Sequence, residues 1–374
     1  MQKVLLKFYI CIFQLDRLFR NIFLFYCKIY IFSLKISPFY YSKTILNLLL
    51  FVKPKLYKMR IFFLLCLIFF SQNISGQLKL KVGENLTISD GSKDLFTYQF
   101  KTVFPPDGVN PVYQRSGFVH PLYTPNGQVL TRIQPPDHYH HYGIWNPWTQ
   151  TLFEKDTVDF WNLAKKQGTV RFAKFTSKKH NKNKATFTAL HQHVVFKKDG
   201  SEKVALNEWQ TYTIYKPNKN YYIVDFESKM QCASSSSLKI LAYRYAGFGW
   251  RATEYWDKNN SEMLTSEGKT RDNTDNTKAR WILVYGSLPD NDEGGIALLS
   301  HPKNFNHPEP LRIWDKKQNG GRGDVFANFA PTKDLDMLLE PNNMYILKYR
   351  MIVFNGKITS EKVSDEWQNF AKIK

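Results

Sequence analysis

From residue 78 onward, short segments in which apolar and polar side chains alternate follow one another almost to the end of the chain. No other feature limits the fold as tightly. Side chains along a strand point alternately to opposite faces, so a period of two marks strands with one buried face. Leu78-Lys79-Leu80-Lys81-Val82, residues 96–100 and residues 186–190 have this period. So do 208–215 and 221–227, which flank Lys216-Pro217-Asn218-Lys219-Asn220, a hairpin-like turn. Residues 239–243, 280–285, 295–299 and 345–354 continue the series, the last closed by Asn355-Gly356. Helical spacing occurs only near the end, over 360–371, where Val363, Trp367, Phe370 and Ala371 share a face behind a Ser360 cap. The pattern predicts an all-β protein, a large antiparallel β-sandwich with a short C-terminal helix. Two long stretches, 104–137 and 288–330, read as irregular and are rich in Pro, Gly, His, Arg and Asp. Long ordered loops on a β scaffold are where sites usually sit.

The chain changes character before that pattern begins. Its formal charge of +20 points at first to nucleic acid or membrane. Residues 1–58 hold ten Lys and Arg against a single acid, Asp16, and contain no Gly, Ala, Trp or His. Such a composition is that of an AT-rich upstream region read through in translation, so 1–58 is expected to be a spurious extension. Lys28 and Lys35 interrupt its apolar run well short of the ~20 clean residues that a membrane span needs. Residues 59–76 then give Met59-Arg60, an apolar run over 61–70, and a polar end closing on Ser75-Gly76. That order is a secretory signal peptide with cleavage before Gln77, which predicts a periplasmic or secreted protein. The remaining chain, 77–374, is expected to form one domain. Its charge is about +10 once the upstream nine and Arg60 are set aside, and Lys178-Lys179, Lys184 and Lys197-Lys198 read as solvated loop charge. Nucleic acid is therefore not an expected partner. Cys232 is the one cysteine of 77–374, so no internal disulfide is available and the stability must come from a core.

Chemistry concentrates in Pro136-Asp137-His138-Tyr139-His140-His141-Tyr142-Gly143-Ile144-Trp145, which places three of the nine histidines in four positions. An extended segment would turn His138 and His140 one way and His141 the other, whereas Pro135-Pro136 and Gly143 favour a turn. One histidine with an orienting partner suffices for acid/base work or substrate contact. Two imidazoles with a carboxylate or a third histidine, drawn from His138, His140, His141, Asp137, the distant His120 or Glu residues, would instead suit a divalent metal. A loop whose histidines only bond backbone is the third alternative. Arg115 and His120 precede another turn. Arg251 and Glu254 follow a strand in Tyr245-Ala246-Gly247-Phe248-Gly249-Trp250-Arg251-Ala252-Thr253-Glu254, which lacks the context of a dinucleotide loop. Glu267 and Arg271 are further polar candidates, as are His301 and Asn304. Gly321-Arg322-Gly323-Asp324 forms another polar loop. No nucleophile elbow, phosphate loop, CxxC or HExxH occurs.

Asp137-His138-x-His140-His141-x-Gly143 followed by Val158-Asp159-Phe160-Trp161 resembles the DHPHHRG…VDFW signature of the PmoA-like proteins, the DUF6807 family. Phe118-x-His120-Pro121-Leu122-Tyr123-Thr124-Pro125, Gly247-Phe248-Gly249-Trp250-Arg251, Ala279-Arg280-Trp281 and His301-Pro302-x-Asn304…Pro308-x-Pro310 extend the likeness over nearly all of 77–374. Tyr139 stands where the signature has Pro, and Tyr142 where it has Arg. The family's "methane oxygenase" label implies a copper membrane enzyme and is treated as a misnomer, since 77–374 holds no run that could span a bilayer. What the resemblance implies is a secreted sandwich similar to the galactose-mutarotase-like supersandwiches, in bacteria that degrade polysaccharides.

The expectation is thus a carbohydrate-active enzyme, a glycoside hydrolase, lyase or epimerase. His138 and His141 would act as acid/base or ligands, with Glu254 or Glu267 as carboxylate partner. Arg115, His120, Asp137, His140, Arg251, Arg271, His301 and Asn304 would contact substrate, and Trp145 and Trp161 would stack on a sugar. No cofactor is expected, with a divalent metal at His138, His140 and His141 as the alternative. A non-catalytic carbohydrate-binding sandwich and a metal-dependent oxygenase are the rival functions.

Overall fold

Two antiparallel sheets pack face to face, and a third, smaller one joins the same core. The computed structural model describes residues 78–373, which lie in one compact unit. The extension and signal peptide expected over 1–58 and 59–76 lie outside the described residues. An eight-stranded sheet runs edge to edge through Ser261–Thr265, Trp281–Leu288, Asp292–Ser300, Tyr345–Asn355, Tyr221–Cys232, Glu202–Tyr215, Lys184–Phe196 and Gly168–His180. A nine-stranded sheet runs through Leu78–Val82, Leu86–Asp90, Lys93–Gln99, Phe118–Leu122, Ile144–Trp145, Gly249–Arg251, Phe326–Phe329, Glu309–Ile313 and Lys278–Ala279. Met337–Leu339, Leu238–Ile240, Thr151–Phe153 and Asp156–Val158 make the four-stranded sheet.

The alternation read from the sequence is what builds this sandwich. Tyr222, Val224 and Phe226 are buried while Tyr221, Ile223 and Asp225 between them are only half-buried. Their strand pairs with its neighbour from Leu206↔Cys232 to Ile214↔Val224, which puts the 216–220 turn at the hairpin tip. Aromatic rings bridge the two large sheets: Phe248 stacks on Tyr349 at 4.6 Å, Phe96 meets Tyr212 at 5.3 Å, and Tyr98 meets Phe187 at 5.0 Å. Each large side chain removed from water in this way contributes roughly 1.5–3 kcal/mol. Cys232 is buried and unpaired within the same core. On the outer face of the eight-stranded sheet, Trp281, Leu283, Leu299 and Phe354 receive Val363 and Phe370 of the helix Ser360–Ala371.

The β-sandwich with one C-terminal helix is as expected, with local corrections. Thr359, not Ser360, caps the helix, its hydroxyl accepting from Lys362 N–H. Besides the strand expected over 295–299, which runs Asp292–Ser300, the stretches read as irregular contain Phe118–Leu122, Glu309–Ile313 and Phe326–Phe329. Gly168–His180 is an edge strand with register shifts at Phe172/Lys174 and Phe175/Ser177, and Lys178 and Lys179 sit on it, not in a loop. Among the described residues no helix is long and apolar enough to cross a membrane.

Candidate functional site

The nine-stranded sheet presents different residues on its two faces, and the alternation decides which residues can meet. Val119, Ile144, Trp250 and Ala327 belong to the inter-sheet core. One step along the same strands, Phe118, Trp145 and Phe326 belong to a second cluster with Tyr142, Trp161, Leu163 and Trp314. Arg251 follows Trp250, pairs in register with Phe326, and takes the same outer face. Its strand is held to the 144–145 strand by Gly249↔Trp145 and Trp250↔Ile144.

Over this face lies the histidine loop, folded as two successive turns. The His138 N–H donates to Pro135 O at 2.8 Å and the His141 N–H to His138 O at 3.0 Å, so the strand-like alternation does not apply. Gly143 ends the loop at φ +59, where a Cβ would stand 2.2 Å from Val119 O, so this position takes glycine. The turns gather the three rings: centroids are 4.8 Å apart for His138–His141, 5.0 Å for His140–His141 and 5.3 Å for His138–His140. One nitrogen from each lies within 4.8 Å of the others, a set able to hold a metal ion.

His141 is the floor of the group. It stacks on Phe326 at 5.0 Å, touches Trp145 at 5.1 Å and Trp314 at 5.5 Å, and its buried Nδ1 has no hydrogen-bond partner. Burial, reinforced by His140 and Arg251, drives its pKa well down. Burial also lowers His140 to about 4, with His138 adding to the effect and Asp159 and Asp137 opposing it. Both rings are therefore neutral at physiological pH.

His138 stands at the opening, with about a third of its side chain exposed. Its Nδ1 lies 2.8 Å from Asp137 Oδ2. That same oxygen accepts from Arg251 Nη2 at 2.9 Å, and Arg251 Nη2 also reaches Asp324 Oδ2 at 2.8 Å. Burial disfavours the Asp137 carboxylate, but the His138 hydrogen bond and the Arg251 charge outweigh it and hold the group at about 2. Arg251 itself is lowered to about 10 by burial, against the pull of Asp137, and remains a cation. Its guanidinium lies 4.5 Å over the Trp314 ring. An ionised Asp137 can only accept, so the proton of neutral His138 sits on Nδ1 and Nε2 keeps its lone pair.

Other predicted residues serve this site from behind or stand apart from it. Arg271 is buried and staples the loops that carry Trp314 and Asp324, donating to Trp314 O at 3.3 Å and Asp324 O at 2.8 Å, so its donors are used internally. Trp145 and Trp161 are about 1% exposed and offer no ring face to a sugar, which corrects their expected stacking role. Asp159 holds Trp161 in place by accepting from the Trp161 and Asn162 N–H groups at 2.9 and 2.8 Å. Arg115 is buried under Tyr142, its guanidinium 5.4 Å from the ring centre, and donates to Phe160 O. A cation thus lies beside Tyr142, the position where the family signature has Arg. His120 bonds Thr131 Oγ1 at 2.9 Å and is lowered to about 4 by burial.

Glu254 and Glu267 do not join the histidines. Glu254 is exposed beyond its strand end, and Glu267 is exposed against Arg280 at 3.3 Å. Asp137 and Asp324 take the carboxylate place instead. His301 and Asn304 lie elsewhere as well: His301 Nε2 meets Ile373 O at 3.0 Å, and Asn304 donates to Glu309 Oε1 at 2.7 Å. Trp314, Asp324 and Phe326 were not among the predicted residues. Their signal was present in Gly321-Arg322-Gly323-Asp324 and in the tryptophan after Pro308-x-Pro310, but nothing local ties them to Arg251.

A family model described as a family of unknown function, DUF6807, matches residues 85–368. No curated protein sequence matches. Solved structures resembling the fold include a GH36 alpha-galactosidase from Geobacillus stearothermophilus, 11% identical with TM-score 0.38, covering 74% of this chain and 40% of its own. A galactose mutarotase related enzyme from Lactobacillus acidophilus is 9% identical with TM-score 0.37, over 74% of this chain and 98% of its own. A heparan sulfate lyase from Pedobacter heparinus is 10% identical with TM-score 0.33, over 77% of this chain and 36% of its own. The chain thus spans well under half of the galactosidase and of the lyase, and no activity is carried over from any of the three.

Proposed function

The chain belongs to the DUF6807 family, and from the geometry of its site we propose that this member is an exported carbohydrate-active enzyme whose reaction uses His138 as acid/base. The observation that carries this reading is the Asp137–His138 pair at the site opening, with Arg251 fixing the carboxylate. Asp137 orients the imidazole through Nδ1, and Nε2 is left to exchange a proton with a substrate. Half-buried Tyr113, Tyr139 and Tyr245 lie near the opening, Tyr139 packed on Tyr113 and Tyr245 on Trp161. Tyr139 and Tyr113 carry the ring and hydroxyl that suit the C–H faces and hydroxyls of a sugar, whereas the Tyr245 hydroxyl donates to Asn162 and its ring packs on Trp161 and Arg244. Arg322 and Lys165 are partly exposed but are paired with Asp324 and Asp159, so they leave no unmatched positive charge to select an acidic sugar.

Among the reaction classes, proton abstraction by a lyase or epimerase fits better than hydrolysis. A glycosidase of the usual kind needs two carboxyl groups flanking the bond, one of them protonated. Asp137 and Asp324 both face the same guanidinium nitrogen, and Asp137 is held at about 2, so it is no reservoir of protons. The test is to incubate the protein with uronate-containing and neutral plant and algal polysaccharides and follow the products by NMR. His138→Ala should lower kcat/KM by ~10²–10⁴ on the substrate found; full turnover by that variant would refute the acid/base role. Saturable sugar binding without turnover would favour the non-catalytic alternative. Export predicts an extracytoplasmic product beginning at Gln77, which N-terminal sequencing reads directly.

A further inference from the structure

We propose that His138, His140 and His141 form a binding site for one divalent transition-metal ion of the zinc class, with a further coordination position open to a substrate oxygen or water. Three imidazoles placed tetrahedrally around an ion at ~2.0–2.1 Å put their ring centres roughly 5 Å apart. The three separations here are 4.8, 5.0 and 5.3 Å, and the ligand nitrogens are already within 4.8 Å of one another. Modest closure of the rings completes the set. The turn bonds from His138 to Pro135 and from His141 to His138 fix this grouping in the backbone before any ion arrives.

Two further observations point to an ion and not merely to packed rings. Asp137 accepts the Nδ1 hydrogen bond of His138 and is itself clamped by Arg251, so the ring is oriented with Nε2 as its free donor. A carboxylate behind a ligating histidine is the usual outer support of such sites. His141 is 3% exposed, and its Nδ1 is buried with no partner in the protein. The positive charge of Arg251 next to the site is already matched by Asp137 and Asp324. All-imidazole ligation suits zinc, copper, nickel or iron over magnesium or calcium, and three protein ligands with one place free is the pattern of reactive sites, not of closed structural ones.

This inference uses the same loop as the sugar reading and competes with the acid/base role given there to His138, because in the metal-loaded protein His138 gives Nε2 to the ion and not to a proton. The untagged full chain is stripped with EDTA, dialysed, and titrated with Co²⁺ and then Zn²⁺. The expected result is one Co²⁺ per chain with the visible bands of a four-coordinate imidazole site, bleached by equimolar Zn²⁺. Half-buried His140→Ala, checked for folding by circular dichroism, should weaken Zn²⁺ at least 100-fold, and Asp137→Asn should weaken it ~10–100-fold. Less than one ion per chain, or binding unchanged by His140→Ala, overturns the metal site. Sugar turnover that survives EDTA in a protein without stoichiometric binding would overturn the metal and leave the sugar reading standing. Stoichiometric metal with no sugar bound or turned over does the reverse.

Discussion

Two histidine–carboxylate groups, one carried on the core side of the eight-stranded sheet and one over the outer face of the nine-stranded sheet, use similar side chains to opposite ends. In the core, His193 Nε2 lies 2.9 Å from Glu208 Oε2, while Ser228 and Asn146 bond Glu208 Oε1 at 2.6 and 2.7 Å. His191 bonds the Tyr98 hydroxyl, and His191, His193 and Glu208 are all 0% exposed. On the outer face, His138, His140 and His141 converge with free nitrogens, and two of the three reach solvent. In the core the carboxylate is surrounded by donors and reinforces the fold. At the surface it is turned behind one ring, and one nitrogen of each histidine lies within 4.8 Å of the others. Residue types alone do not separate a structural cluster from a reactive one; access and the direction of unused donors do.

The contrast can be broken most sharply in the core. Glu208→Ala should cost ~3–5 kcal/mol in chemical denaturation, because it strips the partner from a buried ionic group; a loss under about 1 kcal/mol would mean that the core cluster is no more structural than the surface one. Gly143→Ala comes next, at roughly 2–4 kcal/mol from left-handed backbone strain and the Val119 carbonyl clash, and it should disorder the histidine loop as well. Near-wild-type stability there would show that the loop is not fixed by that turn.

Acid and alkaline limits sharpen the core side of the comparison. Burial opposes the Glu208 carboxylate, but His193 and Ser228 outweigh it and hold the group at about 2, below its ordinary 4.5. Its stabilisation is therefore complete above that ordinary value and is lost as pH falls from 4.5 towards 2. Glu309 behaves in the opposite sense: burial raises it to about 7 although Ser300, Asn304 and Tyr349 bond it. Its contribution is fully present below 4.5 and is lost as pH rises through 7. Thermal unfolding across pH should find Glu208→Gln flatter on the acid side and Glu309→Gln flatter towards neutrality; unchanged slopes would contradict both assignments. The smallest stability effect belongs to the site. His138→Ala should change unfolding by about 1 kcal/mol or less, since the ring is partly solvated and its loss opens no cavity.

Much of the sandwich is legible in the sequence because its long strands carry one buried face each. The 221–227 alternation is preserved in the burial of Tyr222, Val224 and Phe226. Gly168–His180 escapes because it is an edge strand whose second half buries little, so it has no apolar rhythm to read. Ile144–Trp145 and Gly249–Arg251 are too short for any period, and their strand character comes wholly from neighbours. At the site, the three histidines are conspicuous because they are adjacent. Asp324 is 73 residues from Arg251, and the bond between them exists only once the sheet has formed. Glu254, three residues beyond Arg251, attracts notice for its proximity in sequence, yet it passes the strand end and faces water.

The lysines of the outermost strand of the eight-stranded sheet acquire a meaning from their place. An edge strand exposes a row of unpaired N–H and C=O groups, a template for any passing strand, including that of another copy. Gly168–His180 interrupts this row with two register shifts and sets Lys174, Lys178 and Lys179 along it. A second copy docking strand to strand would bring like charges together over a broken hydrogen-bond ladder. Part of the basic character of this chain is thus placed where like charges would oppose the growth of one molecule's sheet into the next.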